Sequence, residues 1–383
     1  MQIFRLYKGQ WGLLPDGSFR RDPWYLVAGR EILESGFGQP PKGFPRKNLP
    51  EGVVLPGFVN AHTHLELSYL VGKIPRALGL RGFISQVVAH REGVSLSQKV
   101  AAAAHMVHQA FLRGTFFFND IANDSQFTMA LLGLPYFRGN RFFEILGFSH
   151  PHDKRRIEEA QELMARDPFV FPTIHSPYGS SPAVLRFVRE KARRTTLSMH
   201  LLEAPEEYLL PYEIGSAYEI LTSLGQYVRH REIYQVPLLE YLSQMGMLSF
   251  KKLILVHLLH ARWHDILYLQ DHVPHAAWVL CHRSNIYLGY ERKNFETLLK
   301  SPLTLLIGTD SPASSPDVSV IDELYALGAL QLCKESQLMR AATFAAYEFF
   351  EIPLRSVPHF LFKGARPEIS SLAMCREIEL LEC

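Results

Sequence analysis

The sequence predicts an α/β protein: a (β/α)8 barrel of the TIM type, with a small β-sandwich domain built from both chain ends. Three observations predict this fold. Short apolar runs alternate with segments of helical spacing across residues 54–351, as in buried parallel strands covered by helices. The two ends of the chain instead carry short strand-like segments and turn residues. No glycine-rich phosphate loop follows the first strand, which disfavours the alternative of a doubly wound open sheet.

The small domain is predicted from residues 1–53 together with residues 352–383. Turn residues such as Pro15-Asp16-Gly17, and a stretch rich in Pro and Gly at 36–50, separate the segments of the first part. The predicted strands are Ile3–Leu6, Trp24–Val27, Val53–Leu55, Phe360–Phe362 and Glu377–Leu381. We expect the two ends to pair with one another.

The barrel is predicted over residues 54–351. Its strands are expected at Val54–Asn60, Thr115–Ile121, Arg141–Leu146, Val170–His175, Thr196–Leu201, Leu253–Leu258, Ala276–Cys281 and Leu303–Gly308. Apolar residues recur at helical spacing between them, at Ser97–Arg113, Arg155–Arg166, Pro182–Arg194 and Ile321–Leu332.

Composition excludes several classes of protein. Apolar side chains make up 47% and charged ones 20% of the 383 residues, the balance of a globular protein. The net charge is only +2 and basic residues are scattered, so no nucleic-acid partner is expected. The four cysteines form no CxxC, which indicates a reducing compartment and excludes the PCxxC zinc site of cytidine deaminases. No membrane helix or signal peptide is visible. We expect a cytoplasmic protein with a small-molecule substrate and no membrane partner. A homodimer is a possible oligomeric state.

The candidate site lies at the predicted strand ends, because active residues of such barrels follow the C-terminal ends of the strands. Four of these ends carry metal ligands or proton-transfer groups, namely His62 and His64, His200 and Glu203, His257 and His260, and Asp310. Period-2 spacing would point His62 and His64 to the same side, where both could hold one metal. The alternative is a set of core histidines satisfied by hydrogen bonds, which would require these positions to coincide by chance.

These segments resemble a known family. The string from Leu55 to His64, LPGFVNAHTH, resembles the opening of the amidohydrolase superfamily. Four later motifs resemble the branch that holds guanine, cytosine, adenosylhomocysteine and triazine hydrolases; they are HxxExxxE at 200–207, HxxH at 257–260, RSNxxLG at 283–289 and GTD at 308–310. The helix expected after the barrel, 339–346, also matches. Cys281-His282 departs from the usual CP, so the role of His282 stays open.

The resemblance implies one divalent metal ion, zinc or iron(II), held by His62, His64, His200 and Asp310. It implies that Glu203 protonates a ring nitrogen of the substrate and that Asp310 takes a proton from the attacking water. His257 would orient that water, with His260 as the competing candidate. The only lysines between Arg113 and His200 are Lys154 and Lys191, expected in a loop and a helix. A lysine-bridged pair of metals is therefore not expected, which favours deamination over cyclic-amide hydrolysis.

A longer stretch of the sequence also implies a particular substrate. The extended opening HTHLELS at 62–68, followed by GKIP at 72–75, resembles a bacterial subgroup of menaquinone synthesis through futalosine. It implies 6-amino-6-deoxyfutalosine, an adenine nucleoside whose ribose carries a benzoate. Methylthioadenosine, adenosylhomocysteine, a free base, or another C–N or C–Cl hydrolysis remain alternatives, and a non-catalytic scaffold is disfavoured because every ligand position is filled. The residues expected to bind substrate are His175 for a ribose, Glu66 for a hydroxyl, and Arg76, Arg81, Arg138 and Arg141 for a carboxylate.

Overall fold

The computed structural model describes residues 4–146, 152–176, 180–192, 196–212, 236–290 and 295–382, together with residues 214, 215, 219 and 222. Ile3, the first residue of the first predicted strand, lies outside this range. None of the described helices is long and apolar enough to cross a membrane.

The first part of the chain forms seven short strands. They are β1 (Phe4–Lys8), β2 (Trp11–Leu13), β3 (Phe19–Arg21), β4 (Pro23–Ala28), β5 (Glu31–Phe37), β6 (Arg46–Asn48) and β7 (Gly52–Pro56). Turns separate them; for example, Gly17 has a positive φ of 82° and its backbone N–H donates to the Leu14 carbonyl. Such a turn suits glycine, which has no Cβ to oppose a positive φ.

Eight parallel strands then form a closed barrel. They are β8 (Phe58–Thr63), β9 (Thr115–Ala122), β10 (Gly139–Glu144), β11 (Val170–Thr173), β12 (Thr196–Leu201), β13 (Lys252–His257), β14 (Ala276–Leu280) and β15 (Thr304–Ile307). β8 to β11 pair in chain order, as do β12 to β15. Backbone hydrogen bonds join the two sets at both seams: His200 N–H donates to the His175 carbonyl, and the Thr309 and Asp310 N–H groups donate to the His62 carbonyl, each over 3.1 Å. The predicted barrel is confirmed.

Helices connect and cover the strands. The α-helices span Gly79–Ala89, Leu96–Leu112, Ser125–Ala130, His152–Arg166, Pro182–Ala192, Leu238–Gln244, Trp263–His272, His282–Leu288, Phe295–Leu299, Val320–Gly328, Glu335–Ala342, Phe344–Phe350 and Ile369–Met374. Short 3₁₀ helices span Leu65–Leu70, Leu131–Gly133, Pro205–Tyr212 and Leu354–Ser356. The helix Leu96–Leu112 begins at a capping box, in which Ser95 and Gln98 satisfy one another's backbone N–H groups. The main apolar core lies between strands and helices and includes Phe58, Phe143 and Trp278, all fully buried.

Strands from both chain ends share one sheet beside the barrel. The last two strands are β16 (His359–Lys363) and β17 (Ile378–Leu380). One sheet has the order β17-β16-β7-β2-β3, with β16 antiparallel to β7, and the other has the order β5-β4-β1-β6. The expected pairing of the two ends is therefore present.

The first barrel strand differs from the predicted one. The apolar run Val54–Asn60 was expected to be one strand, but Gly57 divides it between β7 of the small sheet and β8 of the barrel. Gly57 N–H donates to the Pro358 carbonyl over 2.8 Å, and a Cβ at Gly57 would lie 2.6 Å from Phe116 Cδ1. This close approach requires glycine, and the chain turns there from one sheet into the other.

Candidate active site

Four side chains from three strand ends converge inside the mouth of the barrel. His62 lies in β8 and His64 directly follows it, His200 lies in β12, and Asp310 follows β15. One ligand atom of each lies within 4.8 Å of the others. Nε2 of His64 lies 3.3 Å from Nε2 of His200, and Asp310 Oδ1 lies 3.5 Å and 3.6 Å from Nε2 of His62 and His64.

These residues fit a divalent metal ion. Neither ring nitrogen of the buried His62 makes a hydrogen bond within the described part of the chain, so its lone pair is available. The separations of 3.3–3.6 Å match those between neighbouring ligands of a four-coordinate zinc with bonds of about 2.0–2.2 Å. Three imidazoles and one carboxylate are also the donor types that suit zinc or iron(II).

Burial holds the imidazoles neutral, as metal ligation requires. Desolvation lowers the pKa of His62 to about 3 and also lowers the pKa of His64. Desolvation and the neighbouring His175 lower the pKa of His200 well below its usual value. Although burial alone would raise it, the imidazoles of His62 and His257 hold the pKa of Asp310 below its usual range. Asp310 is therefore ionised.

A second group consists of Glu203, His257 and Asp310, whose ligand atoms also lie within 4.8 Å of one another. Glu203 Oε1 lies 3.7 Å from Nε2 of His257. Burial, followed by the charge of Asp310, raises the pKa of Glu203 well above its usual value. A buried carboxyl group with a raised pKa can hold a proton near neutral pH and donate it.

Asn285 determines which nitrogen of His257 carries the proton. Nδ1 of His257 lies 3.0 Å from Asn285 Oδ1, and because a carboxamide oxygen only accepts, Nδ1–H is the donor. Nε2 of His257, which faces Glu203, is left as an acceptor. The indole of Trp278 donates to the His257 carbonyl over 2.7 Å, so both ends of the residue are held.

Glu207 supports the segment that carries Glu203. Its carboxylate accepts the backbone N–H groups of Leu202, Glu203 and Ala204 at 2.7, 2.8 and 3.0 Å. Leu202 has a φ of 53°, a left-handed conformation that side chains with a Cβ disfavour. The three charge-assisted hydrogen bonds offset that cost.

Left-handed backbone occurs at three of the strand ends that build the site. Besides Leu202 after β12, the residues His257 and Leu258 at the end of β13 have φ of 74° and 49°, and Asp310 after β15 has a φ of 58°. Ser284 Oγ donates to Asp310 Oδ2 over 2.6 Å and fixes its rotamer. Backbone strain of this kind persists where surrounding contacts hold it, and it is concentrated at functional sites.

His175 contacts the ligand histidine as well as the cavity. Its Nδ1 lies 2.9 Å from Nδ1 of His200 and 3.9 Å from Glu144 Oε1. His175 therefore supports the orientation of His200, in addition to facing the space where a substrate would lie.

Glu66 also lines the cavity, but both of its oxygens already have partners. Oε1 accepts from Lys99 Nζ over 3.2 Å, and Oε2 accepts the backbone N–H groups of Asn123 and Asp124 at 2.9 and 3.2 Å. Glu66 thus organises the loop after β9, and a substrate hydroxyl would have to share an oxygen with these donors.

The four arginines predicted to bind a carboxylate are not brought to the cavity. Arg76 is exposed and lies over the Tyr287 ring at 5.1 Å, and Arg81 is exposed on its helix. Arg138 donates to the Ser356 carbonyl and Arg141 pairs with Asp167. These last two contacts lie at the N-terminal end of β10, the opposite end of the barrel from the site, as the position of Arg141 near the strand start requires.

The other histidines and lysines named above lie outside this cavity. His260 packs against Tyr290 with the ring centroids 5.7 Å apart, and His282 packs against Phe295 at 5.4 Å. His257 lies beside Glu203, with its Nε2 3.7 Å from Glu203 Oε1. Lys154 was expected in a loop but lies on the helix His152–Arg166, while Lys191 lies on the helix Pro182–Ala192; both are exposed.

The cavity above the site measures about 880 Å³ with its mouth included. Its lining includes His64, His200, Glu203 and Asp310, the apolar residues of the helix Gly79–Ala89, and Arg91. Sequence reasoning did not find Arg91, Glu144, Glu207 or Asn285. Glu144 lies in the predicted third strand, so its position could have indicated a residue of the site. Glu207 and Asn285 belong to the motifs quoted above, but no role was predicted for either. Arg91 follows a short helix, and no sequence signal distinguished it.

Comparison with known proteins identifies the family. The model of the Amidohydrolase family matches residues 53–355. The chain belongs to the amidohydrolase family. The resemblance stated from its motifs is thereby confirmed, and this amidohydrolase is a metal-dependent hydrolase of C–N bonds that uses a single divalent metal.

Relatives and solved structures agree with that family. The amidohydrolase is 23% identical to a 5-methylthioadenosine/S-adenosylhomocysteine deaminase of Aquifex aeolicus, over 82% of this chain and 68% of the relative. It resembles the crystal structure of Helicobacter pylori aminofutalosine deaminase with Methylthio-coformycin (TM-score 0.78, 19% identity, 99% and 98% of the two chains). It also resembles an adenosine deaminase of Xanthomonas campestris with bound zinc (TM-score 0.75, 19% identity, 97% and 89% of the two chains). These structural similarities confirm the barrel fold.

Proposed function

We propose that this amidohydrolase deaminates an adenine-type nucleoside by hydrolysis. The observation that carries the proposal is the buried Glu203 with its raised pKa, 3.7 Å from Nε2 of His257 and next to the histidine–aspartate cluster. A proton donor beside a metal site at the inner end of a cavity is the arrangement that hydrolysis of an aminated heterocycle requires. The deaminase names of the relatives support the same chemistry.

His62, His64, His200 and Asp310 would hold the metal, either zinc or iron(II), with the zinc in the Xanthomonas campestris structure supporting the first. A divalent metal there supplies Lewis acidity, which makes water a nucleophile near neutral pH. His257 accepts a hydrogen bond at Nε2 and orients the attacking water, and Asp310 receives a proton from it. Glu203 donates a proton to the ring nitrogen next to the amino-bearing carbon.

The reaction balances with one water and no other reactant. The water oxygen forms a bond to the amino-bearing carbon, and the C–N bond to the amino group then breaks. The departing nitrogen takes a proton that came from the water and leaves as ammonia. The carbon keeps the oxygen as a carbonyl group, and the carboxyl groups return to their starting protonation states.

The substrate we favour is 6-amino-6-deoxyfutalosine. The likeness to Helicobacter pylori aminofutalosine deaminase and the apolar residues of the helix Gly79–Ala89 that line the cavity support this choice. 5-Methylthioadenosine or S-adenosylhomocysteine is the second candidate, supported by the Aquifex aeolicus relative. We propose that His175 contacts the ribose, since it faces the cavity.

The test is the rate of ammonia release from a panel of substrates by enzyme loaded with zinc or with iron(II). The panel contains 6-amino-6-deoxyfutalosine, 5-methylthioadenosine, S-adenosylhomocysteine, adenosine, guanine and cytosine. We expect aminofutalosine to have the highest kcat/KM, by more than about tenfold, which corresponds to about 1.4 kcal/mol of selective binding. A preference for 5-methylthioadenosine would contradict the substrate but support the reaction class, and no ammonia from any nucleoside would contradict both.

We also propose that residues 1–53 and 352–383 form a small β-domain beside a barrel of residues 54–351. We propose a cytoplasmic location and no nucleic-acid or membrane partner. A homodimer is one possible oligomeric state.

A further inference from the structure

One wall of the active-site cavity is an apolar helix face. Five residues of the helix Gly79–Ala89 line the cavity, namely Leu80, Phe83, Ile84, Val87 and Val88. Their spacing places them on one side of the helix. Val88 is 44% exposed, so this face is not fully covered by the protein itself. An apolar part of a bound molecule would gain free energy by packing there.

Arg91 interrupts this wall with a single positive charge. It lies two residues beyond the helix end and lines the same cavity. Its Nε–H is buried and has no hydrogen-bond partner among the described residues. Of the carboxylates that line the cavity, Glu66 pairs with Lys99 at 3.2 Å and Glu144 lies 3.9 Å from Nδ1 of His175. A buried guanidinium N–H without an acceptor is costly unless a ligand supplies one.

We propose that Arg91 is a specificity residue that binds a carboxylate at the far end of the substrate. This inference rests on the proposed deaminase function, since it assigns the end of the nucleoside opposite to the reacting ring. The apolar helix face would contact the group between the ribose and the carboxylate. The planar guanidinium can donate two parallel hydrogen bonds to the carboxylate oxygens.

The balance of charge favours a carboxylate over a phosphate. One guanidinium compensates one negative charge, whereas a phosphate monoester carries about −1.5 to −2 at neutral pH. The excess charge would lie in a cavity that already contains Glu66 and Glu144. A nucleoside 5′-phosphate is therefore expected to be a poor ligand.

The experiment compares two ligands that differ only in charge, 6-amino-6-deoxyfutalosine and its carboxamide. Both are measured with metal-loaded parent protein, with Arg91→Gln, and with Arg155→Gln as a matched control at an arginine that is 79% exposed. kcat/KM by ammonia release and affinity by calorimetry are recorded. Calorimetry measures the preference for the carboxylate over the carboxamide even if no ammonia forms. A protein that does not deaminate these ligands can therefore be distinguished from one in which Arg91 does not bind the carboxylate.

The parent and Arg155→Gln should prefer the carboxylate about 10- to 100-fold, the range expected for hydrogen bonds to a charged group. Arg91→Gln should reduce that preference to less than about threefold, while its kcat/KM for adenosine changes less than about threefold. Arg91→Lys should retain part of the preference. A parent without preference, a preference that survives Arg91→Gln, or an equal loss for adenosine would each overturn the assignment.

Discussion

Glu207 offers a sharp test of how the site is held, because one oxygen-to-nitrogen replacement reverses a single hydrogen bond. In Glu207→Gln, the remaining carbonyl oxygen can keep the N–H groups of Glu203 and Ala204, which share Oε1. The new NH2 group then faces the Leu202 N–H at the position of Oε2, where two donors meet. The segment must shift or leave a buried N–H without an acceptor.

The hydrogen bond lost at the Leu202 N–H determines the size of the effect. A hydrogen bond to a charged group contributes about 1.5–3 kcal/mol, and an unsatisfied buried donor costs about 1–3 kcal/mol. Both figures describe the same lost contact, so we expect the free energy of unfolding to fall by about 1.5–3 kcal/mol in Glu207→Gln. If half of this free energy is lost through displacement of Glu203, kcat should fall about 4- to 13-fold, since 1.4 kcal/mol is tenfold.

The assays are urea denaturation, kcat for the best nucleoside, and metal content. Glu206→Gln is the matched control, because it makes the same chemical change at the neighbouring residue, which does not cap this segment. Metal content should be unchanged in both variants. A Glu207→Gln protein whose unfolding free energy and kcat equal those of Glu206→Gln would refute this account of the segment.

Four further predictions concern single side chains. His64→Ala should lower metal content and activity together, because it removes one of the clustered ligands; full metal occupancy by elemental analysis would contradict its role as a ligand. Glu203→Gln should retain the metal and lower kcat about 10²–10⁴-fold, and near-normal turnover would exclude it as the proton donor. His175→Ala should raise KM more for a nucleoside than for its free base if it contacts the ribose, whereas an equal loss on both would indicate that it acts only through His200. Burial raises the pKa of Glu323 from 4.5 to about 7 despite the nearby Arg283, so the folded state binds this proton more tightly than the unfolded state. Unfolding free energy should therefore fall as pH rises from about 4.5 through 7, by about 3 kcal/mol for this group, and urea denaturation should show a smaller fall in Glu323→Gln; identical pH dependence would contradict the prediction.

The sequence alone predicted the barrel and the gathering of side chains from several strand ends, because both depend on local pattern. Each apolar run marks a strand, and parallel strands bring the residues at their carboxyl ends to one end of the barrel; this brought His62, His200 and Asp310 together. The division at Gly57 was not predicted, because the apolar run continues through it. Only the approach of Phe116 reveals why the chain must turn there.

The binding residues were harder to predict because they depend on tertiary packing. Arg91 reaches the cavity only through the placement of the helix before it, and nothing in its neighbours' sequence distinguishes it from Arg76 or Arg81. Glu66 lines the cavity, but its partner Lys99 lies on a helix more than thirty positions along the chain. Hydrogen-bond partners at such separation leave no periodic signal.

The shared sheet gives this enzyme a constraint on its order of assembly. β7 pairs with β2 from the first part of the chain and with β16 from the last part, over five register positions for the latter. During synthesis, β7 therefore presents an unpaired edge until residues 359–363 have left the ribosome. Exposed strand edges invite pairing with other chains. Truncations that remove β16 should consequently produce aggregation rather than a smaller active enzyme, even though every candidate catalytic residue would still be present.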